Sequence, residues 1–439
     1  MKWESLFLLC AVIALWTAPV QAAGIETDAQ RNGSAFWEAL TPGGDALVLS
    51  AARVEAYNRV IAETSPSVYD LTAYPSVVSA EQLRRWLDTD VLEGTFYRAG
   101  RALDWSEKQA LLAQRNLAGI AAQAAVRRGV TVRRANLRTL PTAQGLFSAP
   151  GDTVFDVLQE TAVDPSEALL VLHASASGDF YFVQTRNYRG WVAAADVALA
   201  APEAWLRYAA PQRFLVVTAP RFWLTAGGER LLYQMGAKLP LLPGDGPRYE
   251  VVVPARGAGG GLEERTVRLL RDDAALHEGF LPYTRNQILR QSFRFLGDPY
   301  GWGGLSDSVD CSSFIADIYR TVGVELPRNA DEQEAAAGVD LPLAGLAEAQ
   351  KREALRALQP GDALFFDGHT MLYLGEADGA PYVIHALGSH TRHFAGGGRE
   401  KIRTMRVVVS DLSLRRYSGV SFLGALTSAK SYRTVELER

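Results

Sequence analysis

The stretch DPYGWGGLSDSVDCSSFIADIYRTVG, residues 298–323, sets a glycine-rich run directly against an amphipathic segment. Phe314, Ile315, Ile318, Tyr319 and Val322 recur at helical spacing, which predicts a helix over 312–321. Asp310 suits its N-cap, Cys311 falls in its first turn, and Gly323 stands where a C-terminal cap belongs. Such a helix must bury its apolar face. Downstream, GDALFFDGHTMLYLGEADGAPYVIHALGSH reads as three apolar strands at 363–366, 369–375 and 382–387, the last two forming a hairpin. A helix laid on antiparallel strands is an α+β arrangement.

The chain has two cysteines, Cys10 and Cys311. Its start reads as a secretory signal over 1–23: Lys2, an apolar run at 6–16, Pro19, then small residues. That run is too short to span a bilayer, and lipid attachment at Cys10 stays an alternative that the bulky leucines before it disfavour. No other segment is apolar enough for stable membrane insertion. An exported chain without the signal keeps one thiol, which cannot form an internal disulfide and must be buried or used. A lone cysteine is often a small buried hydrophobe. A helix start, by contrast, favours the nucleophilic thiolate through its free amides and the positive end of the dipole.

A cysteine nucleophile needs a base, and the six histidines are His173, His277, His369, His385, His390 and His393. A hairpin turning near Asp378 sets His369 and His385 opposite each other within about one register step, where Cβ atoms lie roughly 4.5–5.5 Å apart. The pair supplies a base and a group to orient it. Each histidine alone would be an ordinary strand residue. His385, His390 and His393 offer zinc an alternative, but their spacing matches no familiar ligand pattern and LGSHTRHFAGGG reads as a glycine-rich loop. Neither a metal nor any other cofactor is expected.

With those residues in place, YGWGGLSDSVDCSSFIADIYRTVGVELPRNADEQ, the following LQPGDALFF and the two histidine segments resemble the NlpC/P60 cysteine peptidases over 286–439. The resemblance implies a papain-like α+β domain, with Cys311 as nucleophile, His369 as general base and His385 as the orienting residue. It also implies a bacterial cell-wall (murein) peptide as substrate.

Residues 24–129 are rich in alanine and leucine, with helical stretches, such as SAEQLRRWL and EKQALLAQRNLAGIAAQAAV, and the extended SPSVYDLTAYPS ahead of these two, and read as a helical wrapper. At 130–204 and again at 205–285 short strands alternate with Gly and Pro, the pattern of two small β-barrels. RNYRGWVAAADVAL resembles the GWV strand of bacterial SH3-like domains; the second stretch shares only the rhythm. This layout resembles γ-D-glutamyl-L-diamino acid endopeptidases, in which the first SH3-like domain covers the active site and favours peptides with a free N-terminal L-alanine. By that resemblance Asp310 binds the ammonium and Tyr188 meets the same amine. A capping carboxylate uses one oxygen and leaves the other for a cation. Ser312 and Ser313 would help by hydrogen bonding, or serve only as first-turn helix residues.

A net charge of −4 gives no basic excess for nucleic acid. The expected partner is a murein peptide, met in the periplasm or at the cell wall. Two other readings stand beside this one. A wall-binding protein with a dead catalytic domain should lack one of the three catalytic residues, and all are present. An acyltransferase or amidase on the same fold would keep them and change the substrate.

Overall fold

Asp310 begins the helix Cys311–Thr321: its carboxylate accepts the Ser313 N–H while the Ser313 hydroxyl accepts the Asp310 N–H, a reciprocal capping box. Gly323, at φ +85°, follows the C-cap in the left-handed region that favours glycine. The structure is a computed structural model that describes residues 24–89, 91–244 and 246–433. The secretory-signal reading of 1–23, with Cys10, lies outside the described residues. Among the described residues no helix is long and apolar enough to cross a membrane.

Phe314, Ile315, Ile318 and Tyr319 are fully buried, and the helix packs on a six-stranded sheet. The strand order is Val339–Pro342, Ser428–Ser431, Ala363–Phe366, His369–Ala377, Ala380–His393 and Arg399–Asp411, all neighbours antiparallel. Leu372, Leu374, Ile384 and Ala386 line the face beneath the helix.

The central hairpin turns on Asp378 and Gly379, both at positive φ, as a two-residue primed turn requires. A bulge between Tyr373 and Gly375 then adds one residue to the first strand. Continuing the Leu372–Ile384 register sets His385 across from Met371, so His369 is its diagonal neighbour rather than its direct opposite. The bulge decides the face. Without that extra residue the register would slip by one and turn the two histidines to opposite sides of the sheet. The second strand also runs six residues past the expected Leu387, to His393, so LGSHTRHFAGGG is mostly strand and only its end is a turn.

The first β unit is a seven-stranded sheet ordered Val197–Leu199, Arg127–Thr131, Ala168–Ala174, Phe180–Gln184, Arg189–Ala193, Ala135–Arg138 and Gln159–Val163. Its edge strand Gln159–Val163 lies against the loop that precedes Cys311. Gln159 Nε2 donates to the Gly303 carbonyl at 2.8 Å, Arg134 to the Gly304 carbonyl at 3.1 Å, and Trp302 Nε1 to the Asp156 carbonyl at 2.9 Å. Such closeness needs glycine. Gly303 and Gly304 both have positive φ, and a Cβ on Gly304 would stand 2.8 Å from the Ala162 Cβ. Gly304→Ala is therefore expected to lose about 1–2 kcal/mol from the left-handed backbone alone, with the clash added. An unchanged urea midpoint would refute this account of the junction.

A second β unit, from Phe214–Val217 to Leu276–Glu278, closes short strands around Leu215, Val217, Tyr233, Leu239, Val251 and Val253. The N-terminal segment carries the helices Ser34–Ala39, Ala51–Thr64, Ala80–Leu87 and Trp105–Ala113. Trp37 packs on Tyr382, the Tyr57 hydroxyl donates to the Ala337 carbonyl at 2.5 Å, and Asn58 donates to the Gly323 carbonyl at 2.8 Å. The stretch EKQALLAQRNLAGIAAQAAV is α-helical only to Ala113, with one 3₁₀ turn at Leu117–Gly119. Asn116 turns left-handed, and Gln123–Ala125 becomes a strand paired with Val77–Ser79, so tertiary pairing overrides the helical preference of alanine.

Candidate active site

Cys311 is half-buried at the helix start. The backbone N–H of Thr370, the residue after His369, points at its sulfur. His369 opens its strand with its ring packed between Phe366 and Phe422. Its Nε2 meets His385 Nδ1 at 2.8 Å, and His385 Nε2 meets Ser410 Oγ at 3.1 Å. His385 and Ser410 are fully buried and His369 nearly so. The histidine pair thus continues into a third residue on the neighbouring strand. Ser410 carries no sequence signal, because a serine in VVVSD stands out only once the register is known.

Burial, with the adjacent Asp310 carboxylate, pushes the Cys311 thiol up to about 12 despite the opposing Thr370 and Ser312 N–H groups. Burial also brings His369 down to about 4 and His385 well below its ordinary value. The helix start does not by itself hold a thiolate here, because desolvation outweighs it. Both shifts favour the uncharged forms, a thiol and a neutral imidazole.

Asp310 departs furthest from expectation. Its Oδ1 accepts from the Ser313 N–H at 2.9 Å, Arg328 Nη1 at 3.2 Å and the Ser312 hydroxyl at 3.3 Å; its Oδ2 accepts from Arg328 Nη2 at 2.6 Å and the Gly303 N–H at 3.1 Å. Neither oxygen is left over for a substrate ammonium. Burial pushes the carboxyl up, but the Arg328 guanidinium and the Ser313 N–H outweigh it and hold it below the ordinary range. Ser312 accepts from Arg328 at 2.9 Å, and Ser313 is spent in the capping box, so both act within the helix start. Arg328 also donates through Nε to Thr161 Oγ1 at 2.7 Å, on the first β unit. A buried arginine in LPRNADEQ gives no local pattern that would single it out.

Tyr188 sits between the strands Phe180–Gln184 and Arg189–Ala193, next to Asn329 and Arg328, and its hydroxyl donates to Glu160. Burial and that carboxylate raise its pKa. Burial raises the Tyr300 pKa, and the hydroxyl lies close enough to Cys311 and Asp310 for a thiolate or the carboxylate there to raise it further. His390 and His393 turn away, to Thr404 Oγ1 and the Arg416 carbonyl, so the alternative zinc set is not assembled. Among the described residues no three of His, Cys, Asp and Glu gather as a metal-holding group.

Residues 297–402 match the NlpC/P60 family, and residues 146–193 match an SH3 domain of the SH3b1 type. The chain carries an NlpC/P60 domain joined to an SH3b domain. Dipeptidyl-peptidase 6 of Lysinibacillus sphaericus is 32% identical over 107 residues, 24% of this chain and 34% of that protein. Gamma-D-glutamyl-L-lysine dipeptidyl-peptidase of Bacillus subtilis (strain 168) is 33% identical over 117 residues, 25% of this chain and 35% of that protein. The chain spans about a third of the length of these curated relatives. An NlpC/P60 endopeptidase from Photobacterium damselae subsp. piscicida superposes with a TM-score of 0.71 at 17% identity, over 89% of this chain and 95% of that one, which shows a shared fold. The NlpC/P60 domain is the papain-like, cysteine-peptidase type of α+β fold, here with its SH3b sheet set against the loop before Cys311.

Proposed function

We propose that this protein is a cysteine endopeptidase that hydrolyses the γ-D-glutamyl–diamino acid bond of murein peptides carrying a free N-terminal L-alanine, acting outside the cytoplasm. The observation that carries this reading is the hydrogen-bonded line from His369 through His385 to Ser410, beginning beside a half-buried thiol at a helix start. The name of the Bacillus subtilis relative, gamma-D-glutamyl-L-lysine dipeptidyl-peptidase, supports the bond class.

His369 commits Nε2 to His385, so Nδ1 is the nitrogen left for the thiol. For base catalysis His369 carries its proton on Nε2, His385 accepts at Nδ1, and His385 donates from Nε2 to Ser410. A neutral resting pair means that the proton moves as sulfur attacks the γ-glutamyl carbonyl. The imidazolium then protonates the leaving amine, and the neutral ring activates water to release the acyl group. The Cys311 N–H, one of the first-turn amides that a helix leaves without an intrahelical partner, holds the oxyanion.

The same protonation state sets a pH signature. Alkylation by iodoacetamide requires thiolate, so its rate should climb about tenfold per pH unit from neutral to mildly alkaline solution, with no acid-side plateau. A flat profile would mean a preformed thiolate–imidazolium pair.

Asp310 is already paired with the Arg328 guanidinium through both oxygens, whereas Glu160 on the SH3b sheet accepts, among the described residues, only from the neutral Thr139 and Tyr188 hydroxyls, which makes it the better carboxylate for the alanine ammonium. A charge-assisted hydrogen bond there contributes roughly 1.5–3 kcal/mol, about tenfold to a hundredfold in kcat/KM. The test compares L-Ala-γ-D-Glu-diaminopimelate with its N-acetylated form, for the parent and for Glu160→Gln. The parent should prefer the free peptide by that factor and the variant should lose the preference. Equal rates on both peptides in the parent would leave a general wall endopeptidase.

A further inference from the structure

The strands Ala380–His393 and Arg399–Asp411 continue together well past the histidine pair as a two-stranded arm. Its register sets Arg403 across from Ser389, Lys401 from Thr391 and Arg399 from His393. Arg399, Lys401 and Arg403 therefore share one face at intervals of about 7 Å. A loop from the end of the second strand returns to the same place: Thr391 bridges Arg415, His393 meets the Arg416 carbonyl at 3.0 Å, and the Arg399 guanidinium lies 4.8 Å over the Tyr417 ring.

The charge is unevenly spread. Residues 388–420 hold seven Arg and Lys against two Asp and Glu, in a chain where acids outnumber bases 49 to 45. Among the described residues the close ion pairs here are Arg392 with Glu400 and Arg416 with Asp367, and Arg403 lies near enough to the Asp152 carboxylate to help the Val154 N–H lower its pKa. At the end of this basic surface three large apolar side chains stand in solvent: Phe394 at 48% exposure, Tyr417 at 66% and Val420 at 44%. The mechanism uses none of them.

We propose that this arm seats the protein on an anionic phospholipid surface. Phe394, Tyr417 and Val420 enter the boundary between headgroups and acyl chains, where amphipathic aromatics are favoured, and Arg399, Lys401, Arg403 and Arg415 meet the lipid phosphates. A soluble polyanion would explain the bases but gives no role to a projecting phenylalanine beside an exposed tyrosine; a bilayer explains both. The contact is peripheral, since no helix of the described residues is long and apolar enough to cross a membrane. His385 lies eight residues from His393, so the site stands about 26 Å back from the arm's end at 3.3 Å per residue. It stays open to small peptides.

The full-length protein is floated with vesicles of phosphatidylcholine alone and of phosphatidylcholine with one-third phosphatidylglycerol, at low and high salt. Binding is expected only to the anionic vesicles, and high salt should release it. Each basic residue near the surface contributes about fivefold to partitioning, so Arg399→Glu with Lys401→Glu should weaken binding by more than about tenfold. Phe394→Ser with Tyr417→Ser should weaken it at low salt without altering the charge. All four changes are at exposed positions, and an unchanged melting curve is the control for folding; a shifted curve is answered by the single variants Lys401→Gln and Phe394→Ala, read the same way. No binding to anionic vesicles at low salt overturns the proposal. So does an apolar variant that binds as the parent does while soluble polyphosphate competes fully, which would assign the surface to a polyanion instead.

Discussion

Cys311→Ala should lose peptide cleavage by a factor on the order of 10⁴–10⁶ while keeping its fold, because removing one member of a unit that acts together costs nearly as much as removing all of it. The side chain is small and half-exposed, so the alanine leaves no large cavity. His369→Ala should be nearly as damaging, since nothing else in the hydrogen-bonded line can reach the thiol proton. Further along, the losses should shrink. His385→Gln, which still offers an acceptor to His369 Nε2, should retain more activity than His385→Ala, and Ser410→Ala should cost less than either. Product mass on a defined tripeptide measures all of these. Activity of Cys311→Ala within about tenfold of the parent would sink the assignment, and equal losses at His385 and Ser410 would deny the graded line.

The second large effect is on stability. Arg328→Met leaves the buried Asp310 carboxylate without its guanidinium, and breaking one side of a buried pair costs roughly 3–5 kcal/mol. Lysine should not rescue it, because a point charge cannot serve both carboxylate oxygens, Ser312 and Thr161 at once. The double variant Asp310→Asn with Arg328→Met should recover part of the loss, since no bare charge remains. Urea denaturation measures the series. The pH dependence has a definite sign: Asp310 is held below the ordinary carboxylate value, so its contribution is present above that value and fades as pH falls through the lower, folded one. An Arg328→Met loss below about 1 kcal/mol would remove the pair from the list of what holds the helix start together.

The helix, its cap and the approach of two histidines were legible because each rests on short-range chemistry: apolar spacing, a capping aspartate, a DG turn. Arg328, Glu160 and Ser410 were not, for they work through contacts made across units or between strands. Arg328 meets Asp310 from eighteen residues away. Ser410 becomes visible only after the strand Arg399–Asp411 is laid beside Ala380–His393. The bulge at Leu374 was equally hidden, since LYLGEADG holds nothing that marks where an extra residue enters, yet it turns both histidines to one face. Asp310 is the cap that the sequence suggested, and Arg328 and the Gly303 N–H meet the oxygen that the cap leaves over. A local reading counts the oxygen that a cap leaves over but cannot see which cation arrives to take it.

The strand Ser428–Ser431 lies within the sheet, between Val339–Pro342 and Ala363–Phe366, although it follows Cys311 by more than a hundred residues. Ordering it closes a long loop, so the sheet forms through contacts of high sequence separation, which slow a folding nucleus. During synthesis, the thiol helix and both histidines emerge well before the strand that completes the sheet beside them. A chain truncated before Ser428 would therefore hold every proposed catalytic residue and still be inert, because it lacks an interior strand of the sheet that carries both histidines.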